Sequence, residues 1–349
     1  ARALKSGAGV RPMVPSRRAR PLREPNHDAA LWIVGGGFGG MLVGARLHEA
    51  GVHDFAIIEK GGDFGGTWYW NCYPGARCDV ESIEYSYSFS EDLQQEWRWS
   101  ERYATQPEIL RYINHVAERF DLRRDIQFNT RMTNATYDEA SARWVIETEG
   151  GETFDTQFFM MCVGQLSTTK SPSYPGLSSY KGEVIHSGVW PKHEVTYQGK
   201  RVAIIGTGSS GMQMTPVIAQ QAKHLTVFQR TANYSIPAAN APVTDEEDAM
   251  VKAQYRERRD RAWNSATGLG FMPNKTSALD VTPEEREKAY EASWNRLGFG
   301  FALTYYDILL NKQANDTAAD FIRRKIASVV HDPVVRDKLL PKNHAFAAR

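Results

Sequence analysis

Two segments of this 349-residue chain share one layout: a short apolar strand, glycines at fixed spacing, then a helical pattern. In the first, Ala29–Val34 runs into Gly35-Gly36-Gly37-Phe38-Gly39-Gly40, after which Phe38, Met41, Leu42 and Ala45 share one helical face. In the second, Arg201–Ile205 runs into Gly206-Thr207-Gly208-Ser209-Ser210-Gly211 and a helix through Ala222 that contains Pro216. Each is a G-x-G-x-x-G between strand and helix, the context that makes an otherwise weak motif a dinucleotide fingerprint. Gly35 and Gly206 allow the tight turn, Gly37 and Gly208 let backbone approach a pyrophosphate, and Gly40 and Gly211 let helix pack on strand. The helix N-terminus then stabilises the phosphate charge. A glycine turn with no ligand is the bland alternative, and duplication about 170 residues apart argues against it. The expected fold class is α/β, with two Rossmann-like dinucleotide-binding domains and a helical insertion in the second.

The ends of the two following strands, Phe55–Glu59 and Leu225–Gln229, separate the ligands. Glu59 stands 24 positions after Gly35, where a carboxylate accepts from an adenosine ribose and repels a 2′-phosphate. Arg230 stands 24 positions after Gly206, with Thr231 next, and a guanidinium there pairs with a 2′-phosphate. A solvated surface charge is the alternative for Arg230. Equal spacing with opposite charge points to FAD in the first unit and NADP(H) in the second, the pairing of a flavin enzyme reduced by NADPH.

The rest of the chain arranges itself around these units. Residues 1–28 carry seven basic and two acidic residues, net +5, and four prolines, and read as a disordered basic tail. Residues 29–165 form the first domain, with a helix expected over Gln106–Phe120 and a strand meander over 126–163. Residues 166–195 read as a linker and 196–349 as the second domain, with charged helices from about 240. Among these, Asp245–Trp263 reads as one helix, Thr282-Pro283-Glu284-Glu285 opens another, and Asn315–Val330 is a third. Lys+Arg 42 against Asp+Glu 41 gives no reason to expect nucleic acid or a charged membrane surface, and no apolar run approaches a span. Three cysteines, Cys72, Cys78 and Cys162, form no C-x-x-C, so a reducing, cytoplasmic setting is expected, with the chain a monomer.

A reduced flavin passes electrons to a disulfide, to another acceptor or to oxygen. Disulfide reductases carry a cysteine soon after a Gly-Gly-Thr, but Gly65-Gly66-Thr67 is followed here by Trp68. Oxygen chemistry therefore leads. Gly66-Thr67-Trp68, then Tyr73-Pro74-Gly75 and Asp79, resembles a signature loop of type I Baeyer–Villiger flavin monooxygenases. Tyr180–Pro191 is similar to their F-x-G-x-x-x-H-x-x-x-W-P fingerprint, with Tyr180 in place of Phe.

The resemblance implies NADPH-driven insertion of one oxygen atom from O2 beside a ketone carbonyl, through a flavin C4a-peroxide, giving an ester or lactone. It implies that Asp79 tunes an active-site arginine, that His186 acts in domain coupling, and that Gln165 contacts cofactor at the domain crossing. Trp68 and Tyr73 are expected near the flavin, or else as core aromatics. The family's chain returns to its first domain after the second, and that return segment is not found here. Against the family's Phe-Gly-x-Lys stretch, Phe346-Ala347-Ala348-Arg349 puts Arg349 on the Lys before the catalytic arginine; a one-residue deletion would make Arg349 that arginine. Two other readings stay open: a nitrogen- or sulfur-oxidising flavin monooxygenase, which the 180–191 fingerprint disfavours, and a truncated nucleotide-binding remnant without turnover.

Overall fold

A computed structural model describes residues 28–348 apart from 171, 266–267, 271–273 and 296–297; the tail up to residue 27 and Arg349 lie outside the described residues. The first unit opens with β1 (Leu31–Val34), α1 (Phe38–Glu49) and β2 (Phe55–Ile58). The two strands pair in parallel from Leu31↔Phe55 to Val34↔Ile58. Both are continuous apolar runs because a parallel sheet is covered on both faces. Ile33, Phe55 and Ile57 pack with Val43 and Leu47 of α1. On the other face Trp32, Val34, Ala56 and Ile58 meet Ile146 and Phe154, and the Trp32 and Phe154 rings stack at 4.0 Å.

Next come α2 (Thr67–Trp70), α3 (Glu91–Glu96) and α4 (Gln106–Arg119). The α4 face of Ile109, Tyr112, Ile113 and Val116 closes the main core on Phe64, Trp68, Leu93 and Trp99. Then follow β3 (Ile126–Gln127), β4 (Met132–Asp138), β5 (Arg143–Thr148), β6 (Thr153–Thr156) and β7 (Phe158–Met161). The expected meander over 126–163 is corrected: its two ends join the parallel sheet, in the order β3-β2-β1-β7, and only β4-β5-β6 form an antiparallel sheet. The separate strand β6 carries one apolar residue, the buried Phe154, so no hydrophobic alternation announced it.

The second unit is β8 (Arg201–Ile205), α5 (Ser209–Ala219) and β9 (His224–Phe228), with the two strands parallel. The helix expected over Asp245–Trp263 is two, α6 (Asp245–Ala253) and α7 (Tyr255–Trp263), parted at Gln254 with φ −115° and ψ 11°. Although they follow the second unit in sequence, α6 and α7 attach to the first. The backbone pairs Val243 N–H to Ser100 C=O and Arg102 N–H to Ala241 C=O, and Arg258 and Arg259 reach Glu84 at 3.2 and 3.6 Å. Helices α8 (Pro283–Trp294), α9 (Lys312–Val329) and α10 (Pro333–Leu339) complete the chain. Helix α8 starts as its sequence dictates, with Pro283 in the first turn and a Thr282–Glu285 capping box. Tyr290, Phe301, Phe321 and Phe346 form the core of this last part. No helix among the described residues is long and apolar enough to cross a membrane.

Candidate functional site

The two fingerprints repeat one close contact. A Cβ on Gly40 would lie 1.9 Å from the Gly35 carbonyl oxygen, and one on Gly211 would lie 2.2 Å from that of Gly206. In both units the third glycine is what lets the helix start against the strand end. The residues capping these helices, Gly37 for α1 and Gly208 for α5, supply no side-chain hydrogen bond. By contrast α3, α6, α8, α9 and α10 are capped by Ser90, Thr244, Thr282, Asn311 and Asp332. Helices α2, α4 and α7 also lack a side-chain cap: α2 is a single turn following Gly66 in the loop that packs on the first cradle, α4 opens on Pro107, and α7 follows directly on α6. The α1 and α5 amides therefore point into glycine cradles with no side chain to bond them, the arrangement that receives a phosphate. These cradles fit a dinucleotide pyrophosphate in each unit.

The two strand ends are built differently. Glu59 is buried, and its carboxylate accepts from the Gly36 and Gly61 N–H groups, both at 2.7 Å. It thus fixes the glycine loop while keeping acceptor capacity for ribose hydroxyls. Arg230 is exposed and takes no hydrogen bond or ion pair among the described residues. Thr231 beside it is half-buried. Thr207 accepts through its carbonyl from the Asn233 amide at 3.1 Å, which ties the second cradle to the strand exit.

The Gly66-Thr67-Trp68 loop packs directly on the first cradle. A Cβ on Gly66, whose φ is +51°, would lie 2.8 Å from Gly37 Cα, and the Gly65 N–H donates to the Gly36 carbonyl at 3.0 Å. Thr67 opens α2. Trp68 is a core aromatic: it is buried and donates its indole N–H to the Tyr85 hydroxyl at 3.0 Å. Further along, the 73–79 loop reaches across to the second unit. Tyr73 donates to Gln213 Oε1 at 2.9 Å, and Gln213 Nε2 donates to Asp79 Oδ1 at 3.1 Å. Gln213 lies on α5. Burial raises the Asp79 carboxyl above the ordinary carboxylate value, opposed by hydrogen bonds from Gln213 and Ser209. Burial likewise raises the Tyr73 phenol, opposed by a hydrogen bond with Ser210 and assisted by the Asp79 charge.

The structure brings Tyr73, Asp79, Ser209 and Ser210 together, and it leaves other expected residues apart. His186 is half-buried and accepts the Gly188 N–H on Nδ1 at 3.1 Å, a bond inside its own turn. The cross-contact from that segment is made by Lys192, which sequence reasoning missed. Its ammonium donates to the Tyr69 carbonyl, sits 3.9 Å from the Tyr69 ring centroid and lies 3.6 Å from Cys72 Sγ. Gln165 is exposed just after β7. Gln213 was missed too, although it stands two residues beyond the last fingerprint glycine.

All three cysteines are free, and burial pushes the Cys78 thiol up to about 11, unsuited to a nucleophile. No cluster of three or more His, Cys, Asp or Glu among the described residues could hold a metal. A cavity of about 650 Å³ opens between the 81–102 loop and α6–α7, lined by groups such as Glu81, Arg102 and Arg258. None of the fingerprint glycines lines it, so the glycine cradles mark the site better than this cavity does.

Comparison with known proteins agrees with this geometry. Residues 32–267 match the family model described as pyridine nucleotide-disulphide oxidoreductase. The chain is 43% identical over 314 residues to a Baeyer–Villiger monooxygenase of Pseudooceanicola batsensis, covering 89% of this chain and 57% of that protein. It is 40% identical over 321 residues to the phenazine N-monooxygenase PhzNO1 of Lysobacter antibioticus, covering 91% and 59%. The solved structure of an oxidised steroid monooxygenase bound to NADP superposes with a TM-score of 0.88 at 48% identity, covering 91% of this chain and 61% of that one. The chain thus spans about 60% of the length of the relatives it matches.

Proposed function

The chain belongs to the pyridine nucleotide-disulphide oxidoreductase family, with relatives among the Baeyer–Villiger monooxygenases, and on that premise we propose that it serves NADPH-driven insertion of oxygen beside a ketone carbonyl. The balance is ketone, O2, NADPH and a proton giving ester or lactone, water and NADP+. Bound FAD and NADPH would together supply the two electrons that activate oxygen. The observation that carries the reading is the pair of glycine cradles with Glu59 behind one and Arg230 behind the other.

In this reading the α1 amides and Gly35, Gly37, Gly40 hold the FAD pyrophosphate, and Glu59 accepts from its ribose. The α5 amides, with Gly206, Thr207, Gly208, Ser209, Ser210 and Gly211, hold the NADP(H) pyrophosphate, while Arg230 and Thr231 meet its 2′-phosphate. Asp79, beside Gln213 and Ser209, supplies a negative charge that orients a catalytic cation. Tyr73, held by Gln213, helps exclude water from the flavin side of the cleft. Gln165 borders the crossing, and His186 shapes the turn that brings Lys192 onto Tyr69. The free cysteines support a reducing, cytoplasmic setting.

The test is product analysis with FAD, NADPH, O2 and a panel of cyclic and aryl ketones. Ester or lactone formed one-for-one with NADPH supports the proposal. Oxidation of an amine or sulfide panel in its place favours the reading that the phenazine N-monooxygenase relative keeps open. NADPH bound without turnover of either panel favours a nucleotide-binding role.

A further inference from the structure

One side chain of α5, Gln213, makes four hydrogen bonds across the join between the two units. Gln213 uses all of its hydrogen-bonding capacity on the 73–79 loop. Its Oε1 accepts from the Tyr73 hydroxyl at 2.9 Å and the Arg77 N–H at 3.3 Å. Its Nε2 donates to the Arg77 carbonyl and to Asp79 Oδ1, each at 3.1 Å. Ser209, one helical turn earlier on α5, lies near enough to Asp79 to lower its carboxyl against the effect of burial, and Ser210 does the same for the Tyr73 phenol. Gly75 makes the approach possible: a Cβ there would lie 2.4 Å from the Gln213 carbonyl oxygen and 3.0 Å from Val217 Cγ2. So the face of α5 at positions 209, 213 and 217 lies against the loop that carries Asp79. The same helix presents its first-turn amides to the second cradle.

We propose that Gln213 is a positioning residue that sets Asp79 and Tyr73 from the second unit, so that occupancy of the second cradle by a dinucleotide is read at the Asp79 loop. The loop has its own anchors in the first unit, such as the Cys78 N–H to Ala104 C=O bond and the Arg77–Glu101 ion pair at 3.3 Å. Those anchors fix its backbone path but do not touch the Asp79 carboxylate or the Tyr73 hydroxyl. Among the described residues, the groups that hydrogen-bond those two lie on α5. A ligand that tightens the first turn of α5 therefore steadies Ser209 and Gln213 together, because they lie on one face of one helix. This inference rests on the reading that the second unit binds NADP(H).

The test compares hydrogen exchange of the 73–79 amides, and the carboxyl titration of Asp79 followed by 13C NMR, in wild type and two variants. Gln213→Met keeps the length and loses all four bonds. Gln213→Glu keeps the acceptor and places a carboxylate against Asp79. Gln213 is half-buried on a surface helix, so both variants should fold, and a thermal scan monitors this. In wild type, NADP+ is expected to slow exchange over 73–79. In Gln213→Met, exchange is expected to be on the order of tenfold faster, about the value of one net hydrogen bond, and no longer to respond to NADP+ although NADP+ still binds. Asp79 is expected to titrate higher in both variants, more so in Gln213→Glu. If wild type takes up no NADP+, the second-unit reading and this inference fall together. If NADP+ binds but the 73–79 amides respond alike in wild type and Gln213→Met, the inference alone is overturned.

Discussion

The two strand–glycine–helix units carry the same local chemistry in unlike surroundings. In the first, β1 and β2 are buried almost throughout and flanked by β3 and β7 in a four-stranded sheet. In the second, β8 and β9 stand as a pair, with Ile205 63% and Phe228 56% exposed. The glycine contacts are nonetheless nearly superimposable, 1.9 Å at Gly40 and 2.2 Å at Gly211. The comparison separates two properties that usually travel together. The cradle is made by local backbone geometry and needs only a strand end and a helix start. The stability of the unit around it comes from covered apolar area, which the first unit has in far greater measure.

That difference ranks the expected effects of substitution. The largest should come from Gly40→Ala, which forces a side chain onto the Gly35 backbone beside the buried Ile33 of β1; a loss of about 3 kcal/mol is expected from overpacking. Calorimetry should show the main transition lowered. Gly211→Ala makes the same local clash, yet it should leave that transition in place and abolish NADP+ uptake measured by titration. If both variants lower the main transition equally, the units are energetically one and the contrast fails.

The next effect concerns the strand-end charges. Glu59→Ala removes the acceptor of two buried N–H groups, and a loss of roughly 2 kcal/mol in urea unfolding is expected. Arg230→Ala should change stability by no more than about 0.5 kcal/mol, since it removes an exposed group. It should weaken NADP+ on the order of tenfold or more and leave NAD+ unaffected. Equal loss for both nucleotides would sever Arg230 from the 2′-phosphate.

The smallest effect is a pH dependence at the join. Asp79 has a folded-state pKa raised above its unfolded value, chiefly by burial. Its contribution to stability is therefore present below the unfolded aspartate value, about 3.9, and is lost as pH rises through the folded one. Measured against Asp79→Asn, wild type should lose relative stability as pH climbs from the acid side, and then level off. A difference that grows toward neutral pH would mean that the ionised carboxylate is held by a favourable partner.

Much of the fold was legible because its strongest constraints are local. Glycine spacing set both cradles, strand apolarity set β1 and β2, and the Thr282-Pro283 start set α8. What escaped lacks a local mark. Strand β6 is identified by its partner β5 and by Phe154 stacking on Trp32, more than a hundred residues away. The break at Gln254 has no proline or glycine to announce it, and α7 takes its place by Arg258 and Arg259 reaching Glu84. At the site, the residue types at strand ends and in the signature loop were readable. Gln213 and Lys192 were not, because their work is done across 134 residues to Asp79 and 123 to Tyr69.

Two different dinucleotides, FAD and NADP(H), are assigned to these cradles. The most direct measurement is the visible spectrum of the FAD-supplemented, desalted protein, recorded anaerobically before and after NADPH and, in parallel, NADH. A retained flavin absorbance that bleaches with NADPH much faster than with NADH is the expected result. A colourless protein, or a flavin that NADPH and NADH bleach at the same rate, would contradict the assignment of FAD to the Glu59 cradle and NADP(H) to the Arg230 cradle.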